Sequence, residues 1–310
     1  MEMEFDSSVD LSIGLFVNSD PDETWVKALL IARCIEPDFD GTATKKVFDD
    51  VTSIFRGDYP GYCAIKTPYH DLTHTLNVFI CAIRLMHGVY VSGTKIAKRD
   101  IQLVMIAALM HDIGYAQTPN EASGTGAQFT RNHVERGIRF MRRYFADHDL
   151  FPRSYIDQIE AMMRGTDHTL PFREIRFPST HTMMLGQIVA TADYAGQMAD
   201  RAYLEKLQLL FEEFREAQYG DYEDMNDLLQ KTGQFYEATR KTMDNDLGRM
   251  YHKLRHHFRN LMGIDRNFYM ESIEKNFAYL RKIVQLSEEE YLPKLRRGEI
   301  DWNDRRISLG

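Results

Sequence analysis

The chain has 310 residues, of which 44% are hydrophobic and 27% are charged, and its formal net charge is -8. This length supports one large or two modest domains, and the negative charge argues against nucleic acid as a constitutive partner. Cys34, Cys63 and Cys81 show no CxxC spacing, so we expect free thiols in a reducing compartment. The opening stretch MEMEFDSSVD has no basic start or apolar run, and no later run approaches membrane-spanning length. We therefore expect a cytoplasmic protein without a membrane partner.

The distribution of prolines predicts a helical protein. The nine prolines are not clustered and alternating β-branched runs are few, which together favour an all-α fold. Asp20 and Pro21 predict an N-cap followed by the first residue of a helix. Later helices are expected over about 40–55, from about 131, and over about 154–165, 181–198, 202–217, 223–245 and 266–286. The core candidates of the last two helices are Leu228, Phe235, Phe268, Ile273 and Leu280.

The stretch IQLVMIAALMHDIGY, residues 101–115, contains the first candidate site. Ile101 to Met110 are apolar apart from Gln102, and His111 and Asp112 follow directly. A helix that is apolar on every side is buried, and buried polar groups without partners cost about 1–3 kcal/mol each. Imidazole nitrogen and carboxylate oxygen both suit divalent cations. A metal ion is one possible partner, and a hydrogen bond between His111 and Asp112 is the other.

A second candidate site is YHDLTH, which contains Tyr69, His70 and His74. Pro68 disfavours helix at Thr67, so a helix is expected to begin near residue 69. On that helix His70 and His74 would lie on one face, because they are four residues apart. This spacing is common in metal sites, and chance pairs on a helix surface are the alternative.

The third group of polar candidates lies further along the chain. Asp193 follows Val189 by four residues in an apolar segment, so its carboxylate is expected to be buried and to need a partner. His133 begins a helix, and taken alone it would be an exposed histidine. Gly165, Asp167 and His168 end another helix, where a histidine also interacts favourably with the helix dipole.

The order His74, His111-Asp112, Asp193 resembles the HD superfamily of metal-dependent phosphohydrolases. YHDLTH is similar to the YHNxxH motif of class I cyclic-nucleotide phosphodiesterases. HDIGYAQTPN, which ends at Asn120, is similar to their HDxDHxGxxN motif. MMRGTD and ATADYAGQMADRAYLEKL resemble two later segments, and HVERG resembles the HPxxG of HD-GYP phosphodiesterases. The resemblance covers about residues 60–215.

The resemblance implies an HD-domain/PDEase-like helical bundle that holds one or two divalent metal ions. The first ion would be bound by His74, His111, Asp112 and Asp193. Its identity stays open between Zn, Mn, Fe and Mg, since the set contains no thiolate. His70 would be the general acid. Candidates for the second ion or the substrate are His133, His168, Asp167, Asn120 and Tyr69.

The sequence departs from the phosphodiesterase pattern at three points. Asp71 replaces the asparagine of the first motif, and Tyr115 replaces the second histidine of HDxDH. The glutamine that holds the purine in that family has three candidates here, Gln230, Gln234 and Gln285. These departures bear on cyclic-nucleotide specificity more than on phosphoester hydrolysis.

The expected organisation has N-terminal helices over 1–59, a catalytic core over 60–217 and a C-terminal helical extension over 218–310, as parts of one globule. The expected activity is hydrolysis of a (cyclic) nucleotide phosphodiester by a metal-activated hydroxide. A nucleotide phosphomonoesterase of the dNTPase type and a catalytically silent nucleotide-binding module are the alternatives. The basic group at 253–259 is expected to be a solvated face, and the sequence leaves the oligomeric state open.

Overall fold

The computed structural model describes residues 20–295, and the regular structure of this part is helical throughout. The prediction of an all-α protein is confirmed. Residues 1–19 and 296–310, which belong to the flanking segments predicted at 1–59 and 218–310, lie outside the described part. The α-helices are α1 Pro21–Ile35, α2 Thr42–Arg56, α3 Leu72–Val91, α4 Lys98–Met110, α5 His133–Asp147, α6 Ile156–Arg164, α7 Thr180–Met198, α8 Tyr203–Ala217, α9 Met225–Asn245, α10 Lys253–Met262, α11 Phe268–Ile283 and α12 Glu288–Leu295.

Helix α3 lies at the centre of the bundle. It packs against α1, α4, α7 and α10, and every residue from His74 to Val89 is buried. The close approach of α10 explains a glycine in this helix, because a Cβ atom at Gly88 would lie 1.9 Å from the carbonyl oxygen of Lys253. Since α3 contacts helices on all sides, a polar side chain on it must find its partner inside the protein.

Helix α3 corrects the expectation that no apolar run approaches membrane-spanning length. By length and composition alone Leu72–Val91 is long and apolar enough to cross a membrane, with a mean hydropathy of 1.2 over its best window. However, 89% of that window is buried inside the protein. Core helices of globular proteins pass the same test, so this helix is weak evidence for a membrane span.

One continuous hydrophobic core takes side chains from all three predicted segments, from Trp25 in α1 to Leu295 in α12. Four of the five core candidates in α9 and α11 are buried, but Phe235 is 38% exposed. The expectation for Phe235 was wrong because its side chain faces the cavity described below. All three cysteines are free.

Helix α10 was not anticipated from the sequence. Its basic residues were expected to form a solvated face, and Lys253, Arg255 and His256 are indeed not buried. His257 is the exception, since it is 1% exposed and its Nδ1 lies 3.2 Å from the Nδ1 of His87 on α3. The expectation failed there because α10 is amphipathic and packs His257 and Phe258 against α3.

Candidate metal centre

Three helices bring four donor side chains to one buried point. His74 is in the first turn of α3, His111 ends α4 with Asp112 directly after it, and Asp193 is in α7. The Nε2 atoms of His74 and His111 are 3.2 Å apart. Asp112 Oδ2 lies 3.2 and 3.1 Å from these two nitrogens, and Asp193 Oδ1 lies 3.4 and 3.8 Å from them. All four side chains are at least nine-tenths buried.

The spacing and orientation of these donors fit a metal ion. Tetrahedral ligands about an ion with bonds of about 2.1 Å lie about 3.4 Å from one another, close to the separations among the His74, His111 and Asp112 donors and to the distances from Asp193 to the two histidines. The carbonyl oxygen of Ala108 is 2.8 Å from His111 Nδ1 and accepts its hydrogen, which leaves a lone pair on Nε2. Asp112 Oδ2 is buried and forms no well-directed hydrogen bond. His74, His111 and Asp112 together form a buried group able to hold a metal ion.

Electrostatics keep the donor set charged in the absence of metal. Burial alone would lower the pKa of His74, but Asp112 and Asp193 outweigh it and raise that pKa to about 10. Burial would raise the pKa of Asp112, but His111 and His74 hold it well below its usual value. Protons on imidazoles then balance the two carboxylates, so a metal ion must displace protons when it binds.

Two further histidines lie outside this inner set. His133 Nε2 is 3.5 Å from Asp112 Oδ1, and His168 Nε2 is 4.0 Å from Asp193 Oδ2. Each carboxylate therefore has one oxygen towards the inner histidines and the other towards an outer histidine. Burial lowers the pKa of His133, and its Nδ1 donates to Thr130 O over 2.8 Å, so the neutral ring offers its Nε2 lone pair to a cation.

His70 reaches this site from a turn and not from a helix. Asp71 accepts a hydrogen bond from His74 N over 2.9 Å, which makes it the N-cap of α3, and the helix begins at Leu72. The expectation that His70 and His74 share a helical face was therefore wrong. Asp71 ends the turn and caps the helix, a position at which aspartate is among the preferred residues.

The turn is held by Glu213 on α8, a residue that the sequence analysis missed. Its Oε1 accepts from the backbone nitrogens of Tyr69 and His70, and its Oε2 lies 2.6 Å from His70 Nδ1. Burial would lower the pKa of His70, but the Glu213 carboxylate outweighs it and raises that pKa. The sequence contains a signal for Glu213, because this carboxylate follows Leu210 of the apolar stripe by three residues. A carboxylate on an apolar stripe is also what identified Asp193.

Tyr115 lies between two histidines of the site. Its ring stacks between His70 and His133, with centroid distances of 5.0 and 4.7 Å. A Cβ atom at Gly114 would lie 1.8 Å from the carbonyl oxygen of His133, so only glycine allows this turn to approach α5 so closely. Tyr115 therefore fixes the ring planes of His70 and His133. Its side chain has no imidazole nitrogen that could bind a metal ion.

The remaining sequence candidates lie at different distances from the centre. Tyr69 donates from its hydroxyl to Gln197 Oε1 over 2.7 Å. Asp167 lines the cavity, but its carboxylate accepts from the backbone and hydroxyl of Thr169 and so shapes a local turn. Asn120 is exposed and does not line the cavity.

A cavity of about 360 Å³ opens beside the outer histidines. His70, His133 and His168 lie on its wall, and α8 and α9 contribute much of the rest. Its aromatic side chains are Tyr69, Tyr115, Tyr203, Phe214, Tyr219, Tyr222 and Phe235. Arg131 and Lys231 are its basic lining residues, and Lys231 is paired with Asp227 over 2.8 Å. Gln197 lines the cavity whereas Gln230, Gln234 and Gln285 do not.

The fold and the site define an all-α protein with a buried His/Asp group suited to a metal ion. A family model described as Npun_R2479-like is similar to residues 116–256. That match covers less than half of the chain, and it includes His133, His168 and Asp193 but begins after His74, His111 and Asp112. No curated protein matches the chain.

Proposed function

We propose that the chain is a metal-dependent phosphohydrolase, and specifically a phosphodiesterase that acts on a (cyclic) nucleotide. One observation carries the proposal. His74, His111 and Asp112 form a buried metal-type group with Asp193 beside its two histidines, and a second type of histidine, held by a buried carboxylate, lies on the wall of an adjoining aromatic cavity. Phosphodiester hydrolysis needs these parts together: a cation, a proton donor for the leaving oxygen, and a site for the rest of the substrate.

His74, His111, Asp112 and Asp193 would hold the first ion, and His133 and His168 with the outer carboxylate oxygens would hold a second. A bound divalent ion would supply Lewis acidity for the phosphoryl oxygens and a water of lowered pKa as nucleophile. The donor set is nitrogen and oxygen only, so Zn, Mn, Fe and Mg all remain compatible with it.

His70 is the residue assigned to the leaving group. Glu213 accepts the hydrogen on Nδ1 and so directs the other ring nitrogen, Nε2, away from α8. The stacked ring of Tyr115 restricts rotation of the imidazole. In the protonated state, which Glu213 favours, His70 would donate a proton to the departing alkoxide. Glu213 is therefore a positioning residue for this step.

The cavity supports a nucleotide as the substrate class. Phe214 and Tyr222 are stacked, with ring centroids 5.3 Å apart, and Phe235 also lines the cavity, with its ring centroid 6.0 Å from that of His168. Flat aromatic walls suit a base, because every base has a face that stacks. Gln197, which lines the cavity and accepts a hydrogen bond from Tyr69, would meet its polar edge. A cytoplasmic location, where such nucleotides are abundant, stays part of this proposal.

The experiment is a screen of metal-loaded protein against cyclic mononucleotides, cyclic dinucleotides, nucleoside phosphates and an aryl phosphodiester. The Asp112→Asn variant is the matched control for contaminating activity. We expect turnover of diesters that the control lacks. Release of inorganic phosphate from monoesters alone would instead support the phosphomonoesterase alternative. Nucleotide binding without turnover of any ester would support the silent signalling module.

A further inference from the structure

A second concave surface lies behind the turn that carries Tyr115. Ile113, Gly114 and Ala116 form part of its floor, and its volume is about 630 Å³. It shares no lining residue with the aromatic cavity. We call this surface the arginine depression, because its wall contains four arginines of α5: Arg136, Arg139, Arg142 and Arg143.

Two of the four guanidinium groups are already neutralised. Arg136 donates to Glu121 and to the carbonyl oxygens of Gly114 and Ala116, and this arginine holds the pKa of Glu121 at about 2. Arg142 is paired with Glu160 and Asp157. The contacts of Arg136 attach the depression to the Ile113–Tyr115 turn. The other two arginines of the depression are Arg139 and Arg143.

Arg139 and Arg143 have no carboxylate within ion-pair distance among residues 20–295. They are four residues apart on α5, so their side chains lie on the same face. Arg143 donates to the hydroxyl of Tyr62 over 3.2 Å, and the Tyr62 ring meets Phe140 edge to face at 5.4 Å. Two unneutralised guanidinium groups therefore line a concave site with an aromatic wall, in a chain whose net charge is -8.

The charges on and around the depression favour a small phosphorylated ligand over a long polyanion. Guanidinium groups bind phosphate through paired charge-assisted hydrogen bonds. Beyond Tyr62 and Arg143 the surface becomes acidic, with Asp58 and Asp147 on the neighbouring depression. A long polyanion that crossed Arg143 would meet these carboxylates, whereas a small molecule within the depression would not.

We propose that the arginine depression binds a small phosphorylated molecule, with its phosphate between Arg139 and Arg143 and its remainder against Tyr62 and Phe140. The site is separate from the metal centre and does not depend on the activity proposed above. Its ligand would lie against the opposite side of the turn from the catalytic cavity.

Isothermal titration of metal-loaded protein with inorganic pyrophosphate tests this site. The test variant is the double substitution Arg139→Gln/Arg143→Gln, and the matched control is Arg281→Gln/Lys282→Gln, which removes the same charge from an exposed part of α11. We expect the test variant to lose one binding event, or to weaken it by roughly tenfold or more, as the loss of charge-assisted hydrogen bonds predicts. The control should bind like the wild type.

Pyrophosphate bound at the metal centre would contribute equally to all three proteins, so only the difference between them reports the depression. Thermal unfolding checks that the variants fold, as expected for exposed side chains. Identical isotherms for the test variant and the wild type would overturn the proposal. Arginine-dependent binding of a single-stranded oligonucleotide that is tighter than that of pyrophosphate would also overturn it, because the ligand would then be an extended polyanion.

Discussion

The metal centre and the wall of the cavity differ in how firmly the fold holds them. His74 and Asp193 are 5% and 4% exposed in helices that pack directly against each other. The cavity wall on α8 and α9 is mixed, because Leu210, Phe214 and Lys231 are only half-buried and Phe235 is 38% exposed, whereas the other lining side chains of these two helices are buried. Packing therefore fixes the position of the donors, whereas the half-buried and exposed side chains of the wall can change without loss of the core. Under the proposed function, the first region would determine the chemistry and the second would determine the substrate.

The difference also separates two kinds of mutational effect. A change among the inner donors would remove a candidate ligand and leave a buried charge without its partner. A change on the wall removes contact area and leaves the centre intact. The predictions below follow this division, from the donors outwards.

The largest effect is expected for Asp112→Ala. This substitution removes the carboxylate that faces both the inner histidines and His133, so bound metal and activity should disappear together. Metal content by mass spectrometry and aryl phosphodiester turnover are the measurements. Asp149→Ala, at an exposed position, is the control and should retain both. A fully active Asp112→Ala protein would refute a metal-centred mechanism.

His70→Ala should retain its metal and fold but lose rate. Loss of a general acid costs about 10²–10⁴ in rate, and the cost should be greatest for alkyl phosphodiesters. An aryl ester should show a smaller loss, because phenolate leaves with little protonation. His74→Ala should lose metal and fail on both substrates. If His70→Ala also lost its metal, His70 would be a ligand and the assigned role would be wrong.

Glu213→Gln should have a smaller effect that appears in the pH profile. The Glu213 carboxylate raises the pKa of His70, so its neutralisation should lower that pKa. His70 would then lose its proton at a lower pH, so the alkaline limb of the rate profile should move to lower pH. At neutral pH we expect a roughly tenfold loss of rate. Metal content should not change. A uniform loss of rate without a shifted profile would indicate a purely structural role.

The smallest effect is expected on the wall. Phe235→Ala should raise the KM of a nucleotide substrate by roughly tenfold, because stacking on an aromatic side chain contributes about 1–3 kcal/mol per base. Metal content and turnover of a small aryl ester should stay near those of the wild type. Met183→Ala is the matched control, since Met183 is also 38% exposed but does not line the cavity. An equal change in KM for both variants would contradict the prediction that this wall binds the substrate.

The inner donors were accessible to sequence reasoning because burial leaves a clear signal. An apolar helix that ends in His111-Asp112, and a carboxylate on the apolar stripe at Asp193, both require buried partners. The structure places both carboxylates within 4 Å of His111 Nε2. The same logic applied to α8 would have found Glu213, which is buried although charged.

The cavity wall was less accessible because its side chains obey no single periodicity. Phe235 was expected in the core, since an aromatic residue on an amphipathic helix looks the same whether it meets a neighbour or a cavity. His70 was misplaced because the N-cap at Asp71 moves the start of α3 beyond it. Its contact with Glu213 joins residues 143 positions apart, which local patterns do not reveal.

The most direct test of the central claim is anomalous X-ray diffraction from crystals of the metal-loaded protein, recorded at the absorption edge of the bound metal. We predict a peak within bonding distance, about 2.0–2.3 Å, of His74 Nε2, His111 Nε2, Asp112 Oδ2 and Asp193 Oδ1. A weaker or equal second peak between Asp112 Oδ1 and His133 Nε2 is consistent with the account. A metal-loaded protein without a peak between the four inner donors, or with its ion held elsewhere, would contradict it.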